Sequence, residues 1–286
     1  MDYTQDHVNA LASYLKEHHV DVMINQWGNQ RLCYAAKLIS GTKLIACWHN
    51  CFPQEQRPVT LKQKLYKAVA GSKRYRDWRT AIQLRMHMEH YETSDLYVFL
   101  SPAYEQEFLR QAGEQVCADR VTSVPNPLTY QQSYDINHYA EKKKEALFVG
   151  RMIEPHKRLS YIINIWKLIE TDERLNDWHL KIVGDGPAMP ATRQLCKDLR
   201  LQRVAFEGFK VPRPYYNEAS IFLMTSAFEG FPMTLVESLQ NAVPPVVMDS
   251  FQALHDIIVN GSNGVIVQDD DILHSLKKLA LTMYSP

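Results

Sequence analysis

Apolar residues in this chain recur either every three or four positions or in short unbroken blocks. Val8, Leu11, Ala12 and Leu15 fall on one helical face, which predicts an amphipathic helix over residues 5–18. The block at 20–25 predicts a strand. Leu32, Cys33, Ala36 and Ile39 mark a second helix, with Gly41 as its C-cap. Further strands are predicted at 44–48, 96–100 and 121–124, with a helix through Phe108 and Leu109. The second half alternates more cleanly. Strands at 146–149, 180–183, 204–206, 221–224, 243–248 and 264–267 are separated by helical stretches, and a last helix is predicted over 272–279. Strands alternating with helices imply parallel sheets. The polar stretch 129–144 carries Lys142, Lys143 and Lys144 and reads as a linker between domains 1–128 and 145–286.

Residues 221–248 read as strand, loop, helix, strand. A right-handed crossover makes the two strands parallel. Ligands of such sheets sit outside the carboxyl ends of the strands, where the loop 226–231 lies. Pro232 suits a first helical turn. The N–H groups of Met233, Thr234 and Leu235 then point toward the crevice, and the helix dipole favours an anion there. Glu229 sits on the loop and Glu237 in the second helical turn. Glu237 projects away from the apolar face set by Leu235, Val236, Leu239 and Val243. It reads either as a solvated helix residue or as an acceptor for a vicinal diol such as a ribose.

Composition narrows the classes. The chain has 286 residues, formal net charge zero and five cysteines without paired spacing. This suits a cytoplasmic, reducing setting and gives no global pull toward nucleic acid. No signal peptide and no apolar run of membrane-spanning length is present. One segment departs from neutrality. From Arg57 to His90 there are nine Lys and Arg residues against Asp77 and Glu89, with Tyr66, Tyr75 and Trp78 between them. That is either a solvated helix face or a surface for anionic lipid headgroups or a lipid-linked phosphate acceptor.

The string FEGFPMTLVE, from Phe228 to Glu237, resembles the E-x7-E signature of retaining glycosyltransferases of family 4. The resemblance implies an α/β chain of GT-B type, with two Rossmann-like, doubly wound parallel-sheet domains facing a cleft. It also implies an incomplete N-terminal domain, and a C-terminus short of the helices that cross back to the first domain. By resemblance Glu229 contacts the donor sugar, Gly230 and Phe231 meet sugar and phosphates, and Glu237 holds the ribose. Arg151, after the Val149–Gly150 pair, and Lys157 match the family's diphosphate clamp. Gly184 belongs to a GDGP turn near the cleft, and Phe206, Gly208 and Phe209 resemble the family's F-x-G segment, whose backbone and nearby side chains surround the nucleobase. His49 matches a histidine that lies near the donor sugar.

The activity implied is retaining, metal-independent transfer of a hexose from a UDP- or GDP-sugar to a glycan or lipid-linked acceptor, at the inner face of the cell membrane. No cofactor and no metal are expected. Cys47, His49 and Cys51 have the wrong spacing for zinc, and Asp269–Asp271 are better read as helix caps. Two alternatives stay open at this stage: a nucleotide-sugar epimerase of the same fold, and a non-catalytic nucleotide-sugar-binding protein.

Overall fold

A computed structural model describes residues 3–52, 60–268 and 274. The chain divides into two compact units, Met1–Asn126 and Pro127–Pro286.

In the first unit, α1 (Gln5–Glu17) buries Val8, Ala12 and Leu15, the stripe its periodicity marks. Strands β1 (Val22–Asn25), β2 (Lys43–Trp48), β3 (Leu96–Phe99) and β4 (Val121–Ser123) form one parallel sheet in chain order. Helix α2 (Gln30–Ser40) connects β1 to β2, and α4 (Pro102–Ala112) connects β3 to β4. Asn29 caps α2 by accepting from the Arg31 and Leu32 N–H groups, and Gly41 ends it in the left-handed conformation at φ 80°.

The basic stretch is a long helical run, α3 (Leu61–Thr93), broken at Gly71 (φ 83°, ψ 163°). Tyr66, before the break, packs on Trp78 after it at 5.2 Å between ring centroids. The C-terminal part of α3 places His87 in an aromatic nest, 4.2 Å from the Phe52 ring and 4.6 Å from Trp48.

The second unit has a parallel sheet in the order β10-β9-β8-β5-β6-β7. Its strands are β5 (Lys143–Val149), β6 (His179–Val183), β7 (Val204–Gly208), β8 (Ala219–Met224), β9 (Pro245–Met248) and β10 (Val265–Val267). Helix α5 (Leu159–Glu170) packs Ile162, Ile163 and Trp166 on the sheet, and α6 (Met189–Asp198) adds Cys196. Each large apolar side chain so buried contributes about 1.5–3 kcal/mol. Helices α7 (Arg213–Glu218), α8 (Met233–Gln240) and α9 (Leu254–Ile257) complete the described part. The chain runs outward from β5 to β7, then returns to β8 on the other side of β5. That reversal makes a ligand crevice at the carboxyl ends of β5 and β8.

The stretch expected to be a linker belongs to the second unit. Tyr134 N–H donates to the Gln240 carbonyl at 2.8 Å. The Lys142 ammonium is buried and donates to the carbonyls of Tyr216, Asn217 and Ala219 at 2.9, 3.3 and 3.1 Å. A polar stretch looked like a tether because its partners, at the ends of α7 and α8, lie 74 to 110 residues away. Arg57, Asp269–Asp271 and the helix expected at 272–279 fall outside the described residues, apart from His274.

Candidate functional site

The crevice is floored by backbone. Gly150 N–H donates to Val183 O at 3.0 Å, and Gly184 N–H donates to Gly208 O at 2.8 Å. A Cβ on Gly184 would lie 1.9 Å from the Gly150 carbonyl oxygen, and φ there is 144°. The turns after β5 and β6 therefore touch peptide to peptide, and only glycine allows it. Above them is a cavity of about 560 Å³ lined by Gly150, Arg151, Gly184, Asp185, Phe209 and Val211, among others.

Phe206 does not face that cavity. Its ring packs against the core, with the Arg193 guanidinium 4.5 Å away. The exposed ring at the cavity is Phe209, three residues on. Alternation along β7 turns Phe206 inward, and the chain has left the strand before Phe209.

The loops after β5 and β8 are joined. Lys157 Nζ donates to Glu229 Oε1 at 2.5 Å, and both side chains are largely buried. His156 reinforces the join. Its ring stacks on Phe228 at 4.2 Å and 3°, and its Nε2 lies 2.8 Å from the Phe228 carbonyl and 3.7 Å from Glu229 Oε1. Ala227 N–H donates to the His156 carbonyl at 2.7 Å, and Thr225 Oγ1 donates to the Lys157 carbonyl at 2.9 Å. Sequence reasoning missed His156 and Thr225. Their partners lie about seventy residues away, and neither residue stands in a pattern that marks it. Gly230 and Phe231 follow Glu229 and are half-buried. Arg151 is exposed at the cavity rim.

Helix α8 starts at Met233, with Pro232 as its N-cap. The Leu235 N–H donates to the Pro232 carbonyl at 3.0 Å, so the expected anion-facing set narrows to Met233 and Thr234.

Glu237 is not solvated. It is buried, accepts from Thr129 Oγ1 at 2.9 Å, and lies 3.3 Å from the Tyr216 hydroxyl. Residues from the supposed linker and from α7 cover the face that periodicity assigned to water. Burial and the nearby Glu237 charge push the Tyr130 hydroxyl up to about 12.

His49 lies in the first unit, immediately after β2. Its ring stacks on Trp27 at 5.5 Å and 22°, and its Nε2 is buried with no hydrogen-bond partner among the described residues. Burial lowers its pKa. Among the described residues no group of three or more His, Cys, Asp or Glu is placed to hold a metal ion.

Residues 143–285 match the family described as "Glycosyl transferases group 1". The lipopolysaccharide 1,6-galactosyltransferase of Salmonella typhimurium is 27% identical over 187 residues, 63% of this chain and 50% of that protein. The chain spans about half the length of the first curated relatives it matches. Among solved structures, the apo lipopolysaccharide outer core galactosyltransferase WaaB superposes with TM-score 0.65 at 22% identity, covering 98% of this chain and 71% of that one. Anabaena HepE in complex with UDP superposes with TM-score 0.69 at 17% identity, covering 97% and 73%. These likenesses agree with the two parallel-sheet units described above. The chain belongs to the group 1 glycosyl transferases and has the GT-B fold.

Proposed function

We propose that this chain carries the donor site of a retaining glycosyltransferase of family 4. It would move a sugar from a UDP- or GDP-sugar to a glycan or lipid-linked acceptor in cell-surface polysaccharide or glycolipid synthesis. The observation that carries the reading is the Lys157–Glu229 pair, which ties the two loops flanking the switch point of the sheet. Arg151, Lys157 and the first N–H groups of α8 supply positive potential for a diphosphate. Gly150, Gly184, Gly230 and Phe231 let it approach the backbone. Glu229 orients the sugar and Glu237 accepts from the ribose. Of the two rings in the F-x-G segment, Phe209 rather than Phe206 stands at the base. His49 stands as the first unit's candidate.

In the step itself, the bond from the anomeric carbon to the diphosphate oxygen breaks. The acceptor oxygen bonds that carbon on the same face, and its proton passes to the departing diphosphate oxygen. The cations stabilise the charge that develops on the leaving group, so no metal is required. Similar proteins have been solved with UDP and with UDP-glucose, which supports a uridine donor.

UDP or GDP is expected to raise the melting temperature of the chain, and EDTA is expected to leave that shift unchanged. Glu237→Ala should weaken UDP binding by about 1.5–3 kcal/mol, a charged hydrogen-bond acceptor being lost. A shift that appears only with added Mg²⁺ or Mn²⁺ would end the metal-free reading. Parent-like UDP affinity in Glu237→Ala would remove Glu237 from the site.

The chain's own surface supports a second partner, an anionic membrane. Leu61, Leu65 and Val69 are spaced four apart on the first part of α3 and are 74%, 57% and 87% exposed. Lys62, Lys64, Lys67 and Lys73 flank them. An apolar stripe bordered by lysines suits the interface of an anionic bilayer. No helix of the described residues is long and apolar enough to cross a membrane. The chain should sediment with phosphatidylglycerol vesicles at low salt and be released by added salt. Leu61→Ser with Val69→Ser should reduce the bound fraction several-fold. Equal sedimentation with neutral vesicles would argue against this surface.

A further inference from the structure

The strap that opens the second unit, residues 129–144, brings a hydroxyl to Glu237 from 108 residues away. Three bonds hold this stretch on α8. Tyr130 N–H donates to Gln240 Oε1 at 3.3 Å, Gln240 Nε2 donates to the Tyr130 carbonyl at 2.9 Å, and Tyr134 N–H donates to the Gln240 carbonyl at 2.8 Å. Gln240 stands one helical turn after Glu237, so the same face of α8 holds both the strap and the carboxylate. Thr129 is itself exposed. The backbone that carries it is held by the paired bonds between Tyr130 and Gln240.

We infer that Thr129 is a specificity-determining residue of the nucleotide site, reading a ribose diol jointly with Glu237. This rests on the ribose reading of Glu237 given above. A threonine hydroxyl has one donor and two acceptor positions. Its proton is committed to Glu237, so it presents only acceptor capacity to a ligand. A carboxylate has about four acceptor positions, and Thr129 and Tyr216 occupy two of those on Glu237. One ligand hydroxyl can donate to Glu237 and its neighbour to Thr129. The two acceptor oxygens, Thr129 Oγ1 and Glu237 Oε1, are 2.9 Å apart, a spacing that suits adjacent hydroxyls on one ring. A nucleotide lacking one hydroxyl would leave one of these acceptors unanswered. The strap's bidentate hold through Gln240 fixes Thr129 before the ligand arrives, which lowers the entropic cost of the contact.

Calorimetry with UDP, 2′-deoxy-UDP and 3′-deoxy-UDP tests this on the parent chain, Thr129→Val, Thr129→Ser and Glu237→Gln, with melting temperatures as the fold control. GDP and its deoxy analogues serve if UDP gives no heat. The parent should prefer the ribonucleotide over at least one deoxy analogue. Thr129→Val should shrink that preference about three- to tenfold, the size of one neutral hydrogen bond. Thr129→Ser should restore it. A threonine that only pins the strap would change the melting temperature and leave the preference alone. If Glu237→Gln loses the preference while Thr129→Val keeps it, the Thr129 assignment falls and the ribose reading of Glu237 stands. If Thr129→Val binds UDP more tightly than the parent, Thr129 competes for Glu237 and the assignment falls. If the parent binds UDP and GDP without preferring either over its deoxy analogues, or binds neither, both assignments fall together.

Discussion

Lys157→Ala is expected to slow sugar transfer by about 10²–10³, the usual loss when one preorganised charge is removed from a leaving group's environment. The structure adds a consequence for its partner. Lys157 shares its charge with Glu229 at 2.5 Å. A bare nucleotide diphosphate must therefore compete with a carboxylate for the ammonium. Glu229→Ala should release that competition and tighten UDP binding about three- to tenfold. The same variant should lose any preference for the nucleotide sugar over the nucleotide, because Glu229 is the group proposed to meet the sugar. Lys157→Ala should weaken UDP binding, since a cation facing the diphosphate is lost, and opposite effects on UDP affinity from the two ends of one ion pair are the signature to look for. Calorimetry with UDP and UDP-glucose, together with turnover of the full-length protein, would show it. Parent-like turnover in Lys157→Ala would take Lys157 out of the mechanism.

The second large effect concerns the first unit and acid. His87 is almost completely buried, with Nδ1 2.6 Å from the Tyr97 hydroxyl. Burial, with a smaller contribution from the nearby His90, pulls its pKa from 6.5 down to about 3. The folded value lies below the unfolded one, so the unfolded chain takes up this proton first as pH falls. The stability held by neutral His87 is complete above pH 6.5 and is lost as pH drops toward 3. Over that whole window the loss is roughly 4–5 kcal/mol, near 1.4 kcal/mol per pH unit. His87→Gln removes the titration and keeps a polar partner for Tyr97. It should be less stable than the parent at pH 7, with the gap closing by about that slope between pH 6 and 4. Urea melts at both pH values decide it, and parallel profiles would show that His87 carries no such linkage.

The parallel-sheet alternation was legible in the sequence because strands buried on both faces leave unbroken apolar blocks, as Ile221 to Met224 do. The E-x7-E loop was legible because a carboxylate, glycine and proline before a helix leave a distinctive string. What escaped notice depends on contacts between distant segments. Glu237 looks solvated on a helical wheel, and the strap at Thr129 and Tyr130 together with Tyr216 of α7 covers it. His156 belongs to no motif and acts by stacking on a ring seventy-two residues away. The strap itself looked like a tether, because polar residues that bond backbone ends give the same composition as polar residues that bond water. Phe206 and Phe209 are alike by residue type, and the last residues of β7 decide which ring turns outward.

The peptide-to-peptide contact between Gly150 and Gly184 divides the labour of change within the cavity. A floor made of main chain cannot be reshaped by substitution, since even one methyl group at Gly184 would meet the Gly150 carbonyl. The walls have no such constraint. Phe209, Lys210 and Val211 are side chains on a loop beyond β7, and Phe209 and Val211 are 87% and 74% exposed. Mutation can alter what those walls recognise without moving the surface on which the diphosphate is proposed to rest. A lineage built on this unit could then change what the cavity prefers by drift at three positions while the floor beneath stays registered. Libraries randomised at those three positions should stay folded, whereas Gly184→Ala alone should not.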